Sequence, residues 1–202
     1  MNEIKSYSIS ISIFVVFVSI LINSSYVQSL DNFKTYTNKE MKFSIQYPSN
    51  WKVEEKEEYP NSVTFQIPDR ASSFFMVSVG EPETHLDTDT KTLKNNTLEQ
   101  EVKKGIDTDI SILKSKLLKQ NKVIVGGNTG IKTELIDHFS GYKFYITTIA
   151  NGKIYQLSYI ENPTKVPETL PLANKMVESF QVLDWLFYFV GFNESRISCN
   201  KI

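Results

Sequence analysis

The stretch Phe43-Ser44-Ile45-Gln46-Tyr47-Pro48-Ser49-Asn50-Trp51-Lys52-Val53 decides how the chain is read. Its first half alternates large apolar and polar side chains, the period of a half-buried strand with Phe43, Ile45 and Tyr47 on one side. Pro48 has no backbone donor and stops the ladder, and Ser49-Asn50 makes a turn before Trp51 restarts burial on the next strand. The segment offers no carboxylate, imidazole or thiol. It therefore reads as architecture rather than as a site.

Outward from it the same period recurs at Val63, Phe65 and Ile67 and again at Phe75, Val77 and Val79. Turn residues Pro60-Asn61 and Pro68-Asp69 separate these runs, and such short connections predict antiparallel pairing. The mixed-sign run Glu54-Glu55-Lys56-Glu57-Glu58 fits a solvated strand end and loop. From Leu98 the spacing changes to three and four, through Val102, Ile106, Ile110, Leu113 and Leu117, which predicts one amphipathic helix of about five turns. Thr97 and Gln100 make a capping box at its start, and Glu99 with Lys103 makes an i,i+4 pair. Gly105 inside the helix suggests a close approach to the sheet. Asp107 and Asp109, two apart, cannot share a face and are expected in solvent.

After the helix, strands resume at Lys122-Val123-Ile124-Val125, followed by the turn Gly126-Gly127-Asn128, a strand over 130–139, the turn Ser140-Gly141 and a strand over 142–150. Asn151-Gly152 then predicts a type I′ hairpin into 154–160, because both central residues of that turn take positive φ. Asn162-Pro163 ends the strand. Leu170, Leu172, Ala173, Met176, Val177 and Phe180 mark a second amphipathic helix, with Pro171 in its first turn. The order is strands, long helix, strands, short helix. That is an α+β chain with an antiparallel sheet and helices packed on it.

The two ends are read separately. Residues 8–22 are an uncharged apolar run preceded by Lys5, and Val27 and Ser29 suit the −3 and −1 positions of a cleavage site. Residues 1–29 are thus read as a signal peptide, with an uncleaved anchor as the alternative, and the rest as exported. Residues 183–202 form an aromatic extension in which Trp185 to Phe192 carries five aromatic side chains. That run is too short to span a bilayer. It is either a peripheral membrane or partner-docking segment or a tail folded back on the domain. With 22 basic and 23 acidic residues the net charge is −1, which leaves no field to gather nucleic acid. Cys199 is the one cysteine, so the chain can form no internal disulfide.

The order Tyr36-Thr37-Asn38, then Met41 to Val53 with its Phe strand, Tyr-Pro, polar spacer and Trp, resembles the opening of PsbP-like domains. The resemblance continues through Val123-Ile124-Val125-Gly126-Gly127-Asn128 and the closing hairpin to Lys175-Met176-Val177-Glu178-Ser179-Phe180-Gln181, and covers residues 33–182. It implies an α/β/α sandwich around a central antiparallel sheet. That is the fold of an extrinsic subunit of the oxygen-evolving photosystem, of a nuclear Ran-binding import factor and of small exported prokaryotic proteins. Fold alone does not carry function. The photosystem proteins' metal and docking residues have no matching positions here, and none is transferred.

The chemistry-bearing residues are few. His85 and His138 are the two histidines, there is no Gly-x-Ser-x-Gly elbow, and Gly126-Gly127 precedes a strand rather than a phosphate-binding helix. No catalytic set is legible, no cofactor is implied, and His138 reads as a structural histidine at a strand end. Between Glu81 and Asp89 carboxylates and an imidazole recur, and Glu83, His85, Asp87 and Asp89 are the candidate ligands for Ca²⁺ or Mn²⁺, against the reading of a solvated acidic loop. The leading expectation is a non-enzymatic exported accessory or binding domain that acts on a protein partner, such as a membrane complex, at the outer face of the cell membrane. The alternative is an exported ligand- or metal-binding protein that uses a groove beside the sheet or the acidic loop.

Overall fold

The protein is seen in a computed structural model that describes residues 32–90 and 92–183. The leader, Cys199 and the aromatic run 185–192 lie outside the described residues. In chain order the first strands are β1 (Phe33–Asn38), β2 (Phe43–Pro48), β3 (Lys52–Glu55), β4 (Ser62–Gln66) and β5 (Phe74–Gly80). A short hairpin of β6 (Thr84–Leu86) and β7 (Leu93–Asn95) leads to helix α1 (Leu98–Leu113). Strands β8 (Lys116–Val125), β9 (Asn128–Asp137), β10 (Gly141–Ala150) and β11 (Lys153–Glu161) follow, then helix α2 (Val166–Ser179) and β12 (Gln181–Val182).

Pro48 and Trp51 flank a corner between two sheets. β2 pairs antiparallel with β1 and β12 in a three-stranded sheet, whereas β3 begins a seven-stranded antiparallel sheet of order β3-β4-β5-β11-β10-β9-β8. The short Ser49-Asn50 connection therefore joins two sheets and does not pair the strands that it links. The Trp51 amide donates to the Pro48 carbonyl at 2.9 Å, which closes the turn, and the buried indole sits at the corner.

Alternation along the strands gives the large sheet two unlike faces. On the inner face Phe65, Phe75, Tyr159 and Phe144 stand side by side on β4, β5, β11 and β10, with Val63, Val77, Leu157 and Ile146 in the neighbouring row. All eight are buried. Their rings meet edge-on or stacked at centroid separations of 5.2 to 6.4 Å, geometries that the ring quadrupoles favour. The small sheet and α2 close this core from above, with Phe43 stacked on Phe180 at 5.8 Å and Ala173 and Met176 fully buried. Each large side chain so buried contributes on the order of 1.5–3 kcal/mol.

Helix α1 lies on the opposite face, against β9 and β10. Its capping box forms as expected: Thr97 Oγ1 accepts from the Gln100 amide and Gln100 Oε1 from the Thr97 amide. The Asn151-Gly152 hairpin also forms, both residues taking positive φ, 52° and 76°. Other expectations are corrected. The helix stops at Leu113 because Lys114 turns left-handed at φ 54°, so Leu117 belongs to β8. Lys103 pairs with Asp107, and Glu99 reaches Lys122 at 3.7 Å. In α2 the first turn holds Pro167, and Pro171 lies inside the helix. A Cβ at Gly105 would meet nothing within 4 Å, so close approach does not explain that glycine. The fold is mostly antiparallel sheet with two helices, and a second sheet shares the cover of the inner face.

Candidate functional site

The four candidate metal ligands do not converge. Glu83 pairs with Lys104, and His85 Nδ1 on β6 lies 3.0 Å from the Oδ1 of Asn96, the residue after β7. Asp87 is consumed by its own turn: one oxygen accepts from the Thr90 amide at 2.7 Å and hydroxyl at 2.8 Å and from the Asp89 amide at 3.1 Å, and the other takes Lys94 at 2.5 Å. The Lys94 ammonium, helped by Thr90, draws its pKa down to about 2. Asp89 is exposed. Among the described residues no group of three or more His, Cys, Asp or Glu side chains is placed to hold a metal ion. His138 is exposed in the turn after β9 rather than satisfied inside the fold, beside Phe139 at 86% exposure.

Sequence reasoning missed a charged cluster buried under α1. Lys143 on β10 is 1% exposed and donates to Asp109 of α1 at 2.5 Å and to Asp137 at the end of β9 at 2.8 Å. Asp109, expected in solvent, is thus buried against the sheet. Asp137 also accepts from Ser140 and from the Phe139 and Ser140 amides. Burial alone would raise the Asp137 pKa, but Lys143, Ser140 and the two amides hold it well below the usual carboxylate range. Burial likewise disfavours the Lys143 charge, yet its two carboxylate partners outweigh this and raise its pKa. At the same end of the sheet, fully buried Glu161 accepts from Arg70, Ser73 and Thr169, which offset its desolvation and keep it ionised. These are satisfied structural networks, with no unpaired nucleophile or base among them.

What remains open is the outer face itself. Beyond β10 the helix no longer covers the sheet, and a groove runs between α1 and strands β5 and β11, with a cavity of about 470 Å³. Its floor crosses three strands in register, Met76, Ser158 and Tyr145, with Phe74 and Gln156 beside them. Burial and the neighbouring Asp109 carboxylate push the Tyr145 phenol up to about 12.

The second open feature is the far end of α1. The apolar stripe read from the sequence is used only in part: Val102 is buried and Ile106 half-buried, but Ile110 and Leu113 remain exposed. Ile112 on the helix, 70% exposed, and Leu117 and Leu118 on β8, 42% and 47% exposed, add to this apolar surface. Among the described residues β8 is an outermost strand of the large sheet with one side of its ladder unpaired, and Lys116, Lys119 and Lys122 punctuate it. Among the described residues no helix is long and apolar enough to cross a membrane.

Comparison with known proteins agrees with this architecture. A family model described as PsbP matches residues 31–182. Cyanobacterial PsbP (CyanoP) from Synechocystis sp. PCC 6803 superposes with a TM-score of 0.56 at 14% identity, covering 75% of this chain and 92% of that one. A Bacteroides thetaiotaomicron protein matches at 0.46 and 17% identity, over 75% of this chain and 49% of the other. LpqN of Mycobacterium tuberculosis, described as involved in cell envelope biogenesis, matches at 0.45 and 10% identity, over 76% and 87%. At these identities the first likeness shows the fold alone, and the last two carry no argument. No curated protein matches the sequence.

Proposed function

The chain belongs to the PsbP family, and from that premise we propose that it is a non-enzymatic, exported accessory domain that works by protein contact at the outer face of the cell membrane. The observation that carries this reading is the set of aliphatic side chains left exposed where α1 ends and β8 begins, Ile110, Ile112 and Leu113 on the helix and Leu117 and Leu118 on the strand, on a domain whose inner face is sealed. Apolar residues gathered in one place on a surface mark contact sites more often than scattered ones do. Beside them the open edge of β8 offers backbone donors and acceptors to an added strand. The lysines along β8 favour a partner with aliphatic side chains at its centre and an acidic margin.

The buried ionic groups support the non-enzymatic part of the reading, since each is already satisfied by a fixed partner. Export rests on the leader 1–29, and the aromatic run Trp185 to Phe192 would add a membrane or partner contact close to the domain. The α/β/α description fits this surface, because the outer helix both covers part of the sheet and presents the contact.

The test puts a photo-reactive phenylalanine analogue in place of Ile112 or Leu118 in the full chain and irradiates whole cells. A discrete high-mass adduct is expected from both positions and not from the exposed Tyr59 at the other end of the sheet. Equal adducts from all three positions, or none from 112 and 118, would overturn the reading. Protease accessibility in intact cells checks export separately.

A further inference from the structure

The groove beneath α1 is distinct from that contact surface and has its own chemistry. Ser158 is 2% exposed, and its hydroxyl has no hydrogen-bond partner among the described residues, although it belongs to the floor of an open cavity. Buried polar groups are nearly always paired; the hydroxyl oxygen lies just under the floor, and turning the Ser158 side chain toward the cavity would let a ligand or water complete it. The cavity continues past Gly105 into a second of about 250 Å³, and the two share Glu101, Gly105, Tyr145 and Gln156. The larger of them alone falls within the roughly 300–1,000 Å³ of small-molecule sites.

We propose that this groove binds a neutral, hydroxyl-rich small molecule of the saccharide class. Two of the carboxylates on its walls are paired, Asp109 with Lys143 and Glu83 with Lys104, while Glu101 accepts the Glu83 amide and keeps its negative charge. Between these charged walls the floor is uncharged and hydrogen-bonding, with the Ser158 hydroxyl and the Gln156 amide, and the Tyr145 phenol is held by Asp109 and Lys143. The phenol stays protonated throughout the physiological range because its pKa lies at about 12. Phe74 and Met76 supply the apolar part of the floor. A sugar ring matches both, with an apolar C–H face to lay on Phe74 and Met76 and hydroxyls to meet Ser158 and Gln156. An anion would face the carboxylates of the wall, and an apolar molecule would bury the hydroxyl unsatisfied. Gly105 keeps the groove open, since a side chain there would project into space that nothing else fills.

The experiment is ligand-observed saturation-transfer NMR on the exported protein with glucose, mannose, N-acetylglucosamine, maltose and trehalose. Glucuronate, glucose 6-phosphate and indole serve as charged and apolar comparators. Saturable binding of at least one neutral sugar is expected, weakened about tenfold or more by Gly105→Leu, which blocks the groove without removing a contact, and several-fold by Ser158→Ala. Thermal melts of both variants establish that they fold, and if Gly105→Leu does not, Gly105→Met, unbranched and a good helix former, replaces it. Absence of binding by every neutral sugar, tighter binding of a comparator, or affinity unchanged by the position 105 and 158 variants would overturn the proposal. None of these outcomes bears on the contact at the end of α1, which the cross-linking reads separately.

Discussion

The two faces of the seven-stranded sheet are built from the same strands and spend their residues differently. The inner face is a continuous apolar layer in which Phe65, Phe75, Tyr159 and Phe144 succeed one another across four strands. The outer face, one residue out of phase, runs Thr64, Met76, Ser158, Tyr145, Thr133 and Gln120 across six. A single helix covers part of it and is fastened there by a buried ion pair as well as by Val102. The difference teaches where to look for work in the described domain. One face is closed and supplies stability, and the other is left with space, the unmatched Ser158 hydroxyl and exposed aliphatic side chains.

The strongest way to break this comparison is at the inner face. Phe144→Ala should cost roughly 3–5 kcal/mol, as truncation of a fully buried ring does, read by denaturant unfolding. A cost under about 1 kcal/mol would mean that the layer is not the source of stability. On the outer side, Lys143→Ala should cost roughly 3 kcal/mol, because it leaves Asp137 buried beside Asp109 without a cation. If the loss were instead no greater than for an exposed lysine such as Lys119, α1 would be held by apolar contact alone.

The pH dependence sharpens the same contrast. Asp137 and Glu161 have folded-state pKa values below their unfolded ones, so their contribution is complete above the unfolded carboxylate range. It is lost as pH falls from about 4 through their folded values. Glu161→Gln should therefore lower stability near neutrality by about 2 kcal/mol and flatten the acid limb of the stability–pH curve. An acid limb of unchanged slope would remove Glu161 from the account. The smallest effect has the opposite sign. Gly105→Ala should stabilise the protein by up to about 1 kcal/mol, since the helix gains propensity and the new methyl meets nothing.

Much of the inner face was legible from period-two alternation, from the Asn151-Gly152 turn and from the Phe-Tyr-Pro-Trp order that carries the family resemblance. The corner at Pro48 was not, because alternation says which side a residue faces but not which sheet its strand joins. The burial of Asp109 depends on a lysine 34 residues away in the chain, and helical spacing alone puts a lone aspartate in water. The acidic loop gave a composition that suits a cation, yet the short β6–β7 hairpin spends those side chains on turns and lysines. For the groove one signal was present: Ser158 and Gln156 are polar residues at alternate positions of a strand central to the sheet, where an apolar face would be expected if anything covered it. The stripe of α1 was legible as apolar, but where the sheet stops beneath it is a property of the assembled fold.

The most direct measurement takes the paired variant Ile112→Asp and Leu118→Asp and reads two quantities together, its melting temperature and the proteins recovered with it from the membrane fraction by quantitative mass spectrometry. The expected result is an unchanged melting temperature and the loss of a partner that the unaltered chain retains. A melting temperature lowered by several degrees, or an unaltered set of recovered proteins, would contradict it.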